Sequence, residues 1–519
     1  MQLECLNFFA PRRGRLFIFG WKIVLVGVVV AVLGANLGCR NPKPPPSPKP
    51  FAGRKVTIAA ADDAILSALL QRHSRAWSDS SGASVEFVRE NEPNADIRVF
   101  APYQLPDLVS KNLLQPLPIE MLNAPTFEFV SVLRPFKFRL SEWQSTTYAI
   151  PLSGENIVAI VRSDLLATPV HRDAINQRLK RPLKSEEPLT WQQVAVIAEY
   201  FSTTAKWSDG DEAATPRTSL APLPADAGAF DREFHLVATS LQRRATAPER
   251  FENFSEEEKY RHLYDYHFDA RTGACRIADP GFVAALSLLR QLQKYRPQKS
   301  AEDPATVFQQ GQAVFAIVTL ADIARLQASD SPVKDKFSVC AIPGSDLVFD
   351  DPAGKGSSVT DSNANYIPYL GSTGWMAGLA QSATDAASAT DLLMTIGSRE
   401  VALQITFEPS WGAGPTRMVQ FEAAHRSGWH NYGLSLKRTN QLVSALERTS
   451  NTSLVNPVYR LRIPKEREYV TTFARRARTA IIQGDPPQET LKEIAKQWES
   501  IEPDQKVRLQ QYRRSLGLE

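Results

Sequence analysis

The 519-residue sequence predicts an α/β protein of at least two domains, built on mostly parallel sheets. Three observations predict it. The chain is longer than one hydrophobic core can organise. Short apolar runs alternate with stretches of helical periodicity, the pattern of strands joined through helices. The composition, 43% apolar and 22% charged, is that of a soluble globular protein. Charge excludes one class of partner. The formal net charge is +4, but Arg12, Arg13, Arg15 and Lys22 stand against Glu4 in the first 39 residues, so the remainder is nearly neutral. It carries no basic surplus for nucleic acid.

The N-terminal stretch "APRRGRLFIFGWKIVLVGVVVAVLGANLGC" has a basic start, an uncharged apolar run from Ile23 to Ala35, and small residues before Cys39. This is the layout of a secretory signal peptide spanning residues 1–39. The run is short for a bilayer span of about 20 residues, although Leu16 to Trp21 would lengthen it into an uncleaved anchor. "ANLGC" resembles a bacterial lipobox, which implies lipidation of Cys39, with Asn36 where a Leu or Val is usual. The six prolines from Pro42 to Pro50 favour polyproline II, so residues 40–53 read as a stalk. Cys5 leaves with the signal peptide. Cys275 and Cys340 are left, and two cysteines alone do not show whether they pair.

"KVTIAAA" (Lys55 to Ala61) reads as a buried strand. Asp62 and Asp63 then stand at a helix N-cap, and Ile65, Leu66, Leu69, Leu70, His73 and Trp77 form the apolar stripe of the helix. "ASVEFV" and "ADIRVF" are further strands, the second leading into "APYQLPDL". "TYAIPLSGENIVAIVRSDLL" (Thr147 to Leu166) places a polar knot, Ser153 to Asn156, between two apolar runs. "PLTWQQVAVIAEYF" is a helix capped by Thr190. Trp207 to Tyr266 reads as loops around one or two helices, Phe234 to Leu241 among them. A helix starts near Gly281. "TVFQQGQAVFAIVTLADIARL" is helix, glycine stop, strand, helix. "FSVCAIPG" is a strand, "ATDAASATDLLMTIGSREVALQI" two helices broken near Gly397, and Glu466 to Ile501 a helical tail interrupted by "GDPPQ".

Seven segments in this order resemble the solute-binding proteins of ABC importers, in the family that includes maltose-binding protein. They are "ADIRVFAPYQLPDLVSKNLLQPL", "TYAIPLSGENIVAIVRSDLL", "PLTWQQV", "FQQGQAVFAI", "FSVCAIPG", "NYIPYLGSTGWMAGLAQSATDAASATDLLMTIGSRE" and "WGAGPTR". The resemblance implies a two-lobed, type II periplasmic-binding-protein-like fold. Each lobe is then a mostly parallel sheet flanked by helices, with a ligand cleft between lobes. Lobe one is expected at 54–150 and 342–398, lobe two at 155–339 and 399–519. The sequence departs from the family where an aromatic often stacks on sugar: that position is Thr319-Leu320.

On this reading the polar knot is a crossover that lines the cleft. Pro151 fixes a backbone angle, and Glu155 and Asn156 offer acceptors and donors to a polar ligand. Ligands of open α/β sheets bind beyond the carboxyl ends of strands. Asp62, Asp63 and Tyr103 follow strands there, with Asp62 and Asp63 also suited to capping. Trp375 in "GSTGW" and Trp411 in "SWGAGP" are the expected aromatic contacts, with Trp429 and Tyr432 as further aromatics and Ser372 and Thr373 as further hydrogen-bonding groups; the alternative for each is structural.

No H-E-x-x-H, G-x-S-x-G or paired C-x-x-C is present, and "PAGKGSS" lacks the first glycine of a phosphate loop, which would be Phe349. His262 and His267 are five apart in a polar stretch and make a poor metal pair. "SEEEKYRH" reads as a solvated helix face. The expectation is therefore a non-enzyme without cofactor or metal. It is an exported, monomeric binder of a small polar solute, a carbohydrate by resemblance. It serves ABC permease subunits and is tethered to a membrane by lipid on Cys39, in the periplasm or at the cell surface. An orphan receptor of the same fold, reporting to a membrane signalling partner, is the alternative. A polysaccharide-processing enzyme would need Glu155 paired with Asp62 or Asp63.

Overall fold

Ten strands and eleven main helices carry the architecture of the computed structural model. It describes residues 49–180, 182–183, 189–204, 207, 217–297, 302–350, 354–359 and 364–518. The expected signal peptide, Cys39 and most of the stalk lie outside the described residues. The strands are β1 (Lys55–Ala60), β2 (Ser84–Arg89), β3 (Ile97–Phe100), β4 (Ile150–Ser153), β5 (Ile157–Val161), β6 (Phe315–Thr319), β7 (Ser338–Cys340), β8 (Tyr369–Leu370), β9 (Trp375–Leu379) and β10 (Val458–Tyr459). The helices up to residue 330 are α1 (Ala64–Ser81), α2 (Trp191–Thr203), α3 (Ala227–Gln242), α4 (Pro280–Gln293) and α5 (Leu320–Leu326). Beyond it come α6 (Ala386–Ile396), α7 (Arg399–Thr406), α8 (Leu436–Ser450), α9 (Glu466–Gln483), α10 (Pro487–Ile501) and α11 (Gln505–Ser515).

The first sheet has the order β2-β1-β3-β9-β4. β1 runs parallel to β2 and β3, with Ile58 opposite Phe87 and Ile97. β9 returns antiparallel between β3 and β4, with Ala377 opposite Val99 and Ile150. The carboxyl ends of β1, β3 and β4 therefore share one edge with the start of β9. The second sheet, β6-β5-β7, is antiparallel throughout: Ala159 lies opposite both Ile317 and Cys340. Parallel pairing, expected in both sheets, is reduced there to isolated bridges such as Leu220 to Phe315. The chain enters β5 from the crossover and β6 and β7 both run back toward it, which leaves no parallel neighbour. A short parallel pair, β8 with β10, brings residues 369 and 458 together.

β5 shows why an unbroken apolar run was needed. Ile157, Ala159 and Val161 face a core shared with α2, α3, α4, α9 and α10, whereas Val158 and Ile160 face the core of the first sheet and α8. A strand buried on both faces has no polar alternation.

Local signals account for several boundaries. Asp63 caps α1, its carboxylate accepting the Leu66 N–H at 2.8 Å. Leu66, Leu69, Leu70, His73 and Trp77 are buried as expected, but Ile65 is 45% exposed, one residue off the stripe in the first turn. Thr190 and Gln193 close a reciprocal capping box at the start of α2. Gly311, at φ +73°, ends the helix Pro304–Gln309 before β6.

The irregular 207–266 stretch holds more helix than its polarity suggests: α3, Pro248–Phe251 and Glu256–Tyr264, the last with no buried residue. The end of the expected stalk packs down, with Phe51 stacked on Trp77 at 6.1 Å. In "PAGKGSS", Pro352 and Ala353 lie outside the described residues, and Ser357–Ser358 pair with Leu347–Val348 as a small hairpin. Cys275 and Cys340 are free thiols, each pushed up to about 12 by burial. Among the described residues no helix is long and apolar enough to cross a membrane.

Candidate functional site

The crossover from β4 to β5 is three residues long, Gly154 to Asn156, and is held on both sides. The Gly154 N–H donates to the Gly414 carbonyl at 2.9 Å. Asn156 donates its side-chain N–H to the Gly412 carbonyl at 2.8 Å and its backbone N–H to Thr373 Oγ1 at 3.3 Å. Its own carbonyl accepts the Leu320 N–H at the start of α5. Asn156 Oδ1 is buried and has no partner among the described residues.

Glu155 is only 3% exposed. Its Oε1 accepts the backbone N–H groups of Gly371 and Ser372, and its Oε2 accepts the hydroxyls of Ser372 and Thr373. Burial pushes the carboxyl above its ordinary range, and these four hydrogen bonds oppose that shift. The loop that supplies them needs glycine. Gly371 and Gly374 have φ of +78° and +87°, and a Cβ on Gly374 would stand 2.3 Å from the Ser153 carbonyl oxygen.

Beyond the crossover lies a cavity of about 430 Å³. Ile157 and its register partner Thr319 form part of its wall, with Arg232 and Glu233 of α3 and Asp322 and Arg325 of α5. Most of these charges are matched. Glu233 accepts from Arg296 at 2.6 Å, and Arg325 donates to Asp303 and Asp322. Arg232 makes no ion pair or hydrogen bond among the described residues. Burial lowers its guanidinium below its usual range, and the Glu155 carboxylate is the foremost charge opposing this. Arg232 was not legible in advance, because it sits in the 207–266 stretch read mainly as loop.

The remaining expected residues fall as follows. Asp62 is exposed just past β1, while Asp63 is the helix cap. Tyr103 is half-buried just past β3, its ring covered by the Arg460 guanidinium at 3.9 Å. Trp375 is half-buried, its backbone N–H donating to Ser153 Oγ at 3.0 Å. Asp62, Tyr103, Glu155 and Trp375 thus follow or begin strands at one edge of the first sheet. Trp411 is half-buried, edge-on to His73 at 5.6 Å and beneath Arg72 at 5.3 Å, so it packs against α1. Trp429 and Tyr432 are core residues: the Trp429 indole N–H donates to the Gln420 carbonyl and the Tyr432 hydroxyl to that of Thr406. His267 is buried against His235 and Tyr266.

A family model described as bacterial extracellular solute-binding protein matches residues 76–420, most of the chain. The chain belongs to this family. No curated protein sequence matches this solute-binding protein. Its fold recurs in solved structures at low identity. Maltose-bound MalE3 of T. maritima is 16% identical with a TM-score of 0.58, over 86% of this chain and 99% of that one. MalE of Xanthomonas citri, a sugar-binding protein, is 13% identical with a TM-score of 0.59, over 88% and 99%. An ABC transporter solute-binding protein of Agrobacterium radiobacter K84, in complex with ribitol, is 12% identical with a TM-score of 0.59, over 87% and 100%. These likenesses establish the two-lobed binding-protein fold for the α/β architecture described above.

Proposed function

We propose that this solute-binding protein captures a small polar solute, a carbohydrate or polyol, between its two sheets and delivers it to an ABC importer. The cavity at the crossover carries this reading. It opens one residue beyond Asn156, whose Oδ1 has no partner among the described residues, and it places the uncommitted Arg232 guanidinium in its wall. Hydroxyls pair well with such groups, each hydrogen bond to a charged partner contributing roughly 1.5–3 kcal/mol when shielded from water. Asp62, Asp63, Tyr103, Glu155, Asn156, Trp375 and Trp411 stand at the crossover and the first-sheet edge, outside that cavity's wall; they form the proposed contact set on the facing side of the solute, with the tryptophan rings covering its C–H faces. Glu155 acts in it by fixing the 371–373 loop, since its oxygens are already engaged there. Closure of two lobes supplies the shielding. The maltose and ribitol held by structural neighbours support the solute class.

The protein acts by binding alone, as an exported monomer without a cofactor. Lipid on Cys39 holds it at the membrane beside the permease subunits, with the proline-rich stalk proposed at 40–53 between the anchor and the folded body. Lobe one is proposed at 54–150 and 342–398, lobe two at 155–339 and 399–519.

Thermal melting of residues 54–519 against sugars, polyols and amino acids tests the ligand class. A solute at 100 times its Kd stabilises by about 2.7 kcal/mol, a shift of a few degrees. A folded protein that no sugar or polyol stabilises overturns it. Cys39→Ser should move the protein from the membrane fraction to the soluble fraction; unchanged membrane retention argues against the lipid anchor.

A further inference from the structure

A second cavity, of about 380 Å³, is lined by Arg134, Arg139, Arg243, Arg460 and Arg462. Glu142 is its sole lining carboxylate among the described residues. It shares no lining residue with the cavity beside Asn156. Its walls come from the segment before β4, from Arg243 at the end of α3, from Leu263 to His267 at and after the end of the helix Glu256–Tyr264, from the chain around β10, and from α11 and the residue after it.

The five guanidiniums are unequally matched. Arg460 is bonded to Glu466 at 2.7 Å. Arg243, 5% exposed, donates to the carbonyls of Asp265, Asn456 and Pro457 and hydrogen-bonds no carboxylate. Arg462, 2% exposed, donates to the carbonyls of Arg139, Leu140 and Glu142, and its buried Nε has no partner among the described residues. Burial lowers both groups, Arg462 to about 10, and the nearby Arg139 charge adds to its shift. Arg134 and Arg139, the more accessible pair, make no hydrogen bond or ion pair through their side chains among the described residues. The buried Nε2 of His267, another lining residue, is also without a partner there.

Burying positive charge against carbonyl dipoles alone is costly, and an uncompensated guanidinium is a strong receptor for oxyanions. Its planar fork matches carboxylate and phosphate in a bidentate manner. The cavity volume is that of a small-molecule site. We propose that this cavity is a second binding site, for a small molecule carrying at least two negative charges on phosphate or carboxylate groups. The ligand bridges the Arg134–Arg139 segment and the Arg243–Arg462 wall. The site is independent of the solute reading above.

The test is calorimetric titration of residues 50–519, which keep Phe51 on Trp77, in dilute chloride buffer with inorganic phosphate, glucose 6-phosphate and citrate, with glucose as the neutral control. Saturable binding of at least one anion is expected, weakened at least tenfold in Arg134→Ala/Arg139→Ala, whose circular dichroism and melting should match the parent. Equal binding of inorganic phosphate and glucose 6-phosphate identifies the free oxyanion as sufficient. Tighter glucose 6-phosphate identifies an ester, and tighter citrate a polycarboxylate; each supports the site. The absence of saturable binding by all three overturns it. So does binding that the folded double variant leaves unchanged, or stabilisation that only rises with salt concentration, as excluded kosmotropic anions produce. Binding of neutral solutes should survive the double variant, which separates failure of this site from failure of the solute site.

Discussion

Ser372 holds Glu155 twice: its backbone N–H donates to Oε1 at 3.0 Å and its hydroxyl to Oε2 at 3.1 Å. With Gly371 and Thr373 this makes one buried carboxylate the anchor of the loop that starts β9. Glu155→Ala would leave the N–H groups of Gly371 and Ser372 buried without an acceptor, at about 1–3 kcal/mol each. The expected loss is roughly 3–5 kcal/mol, read from the denaturation midpoint. Ser372→Ala removes one hydroxyl donor and should lose about 1 kcal/mol. Equal effects of the two would contradict the anchoring role.

The same loop depends on its backbone. A Cβ at Gly374 would stand 2.3 Å from the Ser153 carbonyl oxygen, and φ there is +87°. Gly484 has a similar φ of +80°, but nothing lies within 4 Å of its Cβ position. Gly484→Ala should therefore lose about 1 kcal/mol from backbone strain alone. Gly374→Ala should lose at least 2 kcal/mol more, because Ser153 belongs to a paired strand and cannot yield. Urea unfolding of the two variants compares them directly.

These contacts mark the limit of what the sequence displays. Caps and breaks are local, so Asp63, Thr190, Gly311 and Gly397 announce their roles through the residues beside them. The alternation of strands and helices likewise announces the α/β class. The bonds to Glu155 come from residues 216 to 218 positions away, and nothing near Glu155 encodes them. The antiparallel second sheet has the same origin, since β5 finds both partners more than 150 residues downstream. Arg232 has no such local signal, because α3 buries charged and polar residues, Asp231, Glu233 and His235 among them, which blurs its helical stripe.

His262 sets part of the acid sensitivity. Half-buried against Phe254, it loses part of its hydration, and with the charges of Arg261 and Arg243 this lowers its imidazole from 6.5 to about 4. An unfolded chain takes up this proton near pH 6.5, the native chain only near 4. The unfolded state therefore binds more protons in that window, and stability falls as pH drops from about 6.5 to about 4. His73 and His267 are lowered by burial too and act with the same sign. Glu155, raised by burial, acts with the opposite sign, favouring the native state at low pH. His262→Asn should reduce the stability lost between pH 7 and pH 4.5 by roughly 1–2 kcal/mol. Parallel urea curves at the two pH values measure it; an unchanged loss would show that His262 protonates alike in both states.

Trp411 and Trp429 separate a binding role from a packing role. Trp429 is fully buried and bonded to Gln420, so Trp429→Ala should lose about 3–5 kcal/mol of stability. Trp411 is half-buried, with His73 at its edge and Arg72 over its ring, and it precedes Gly412, whose carbonyl fixes Asn156. Trp411→Ala removes a partly exposed ring next to the crossover and should lose less, about 1–2 kcal/mol. Under the proposed solute reading it should also weaken the solute at least tenfold, measured by calorimetry on folded protein well below its melting temperature. If Trp411→Ala loses stability as Trp429→Ala does while solute affinity stays unchanged, Trp411 belongs to the packing of α1 and leaves the contact set.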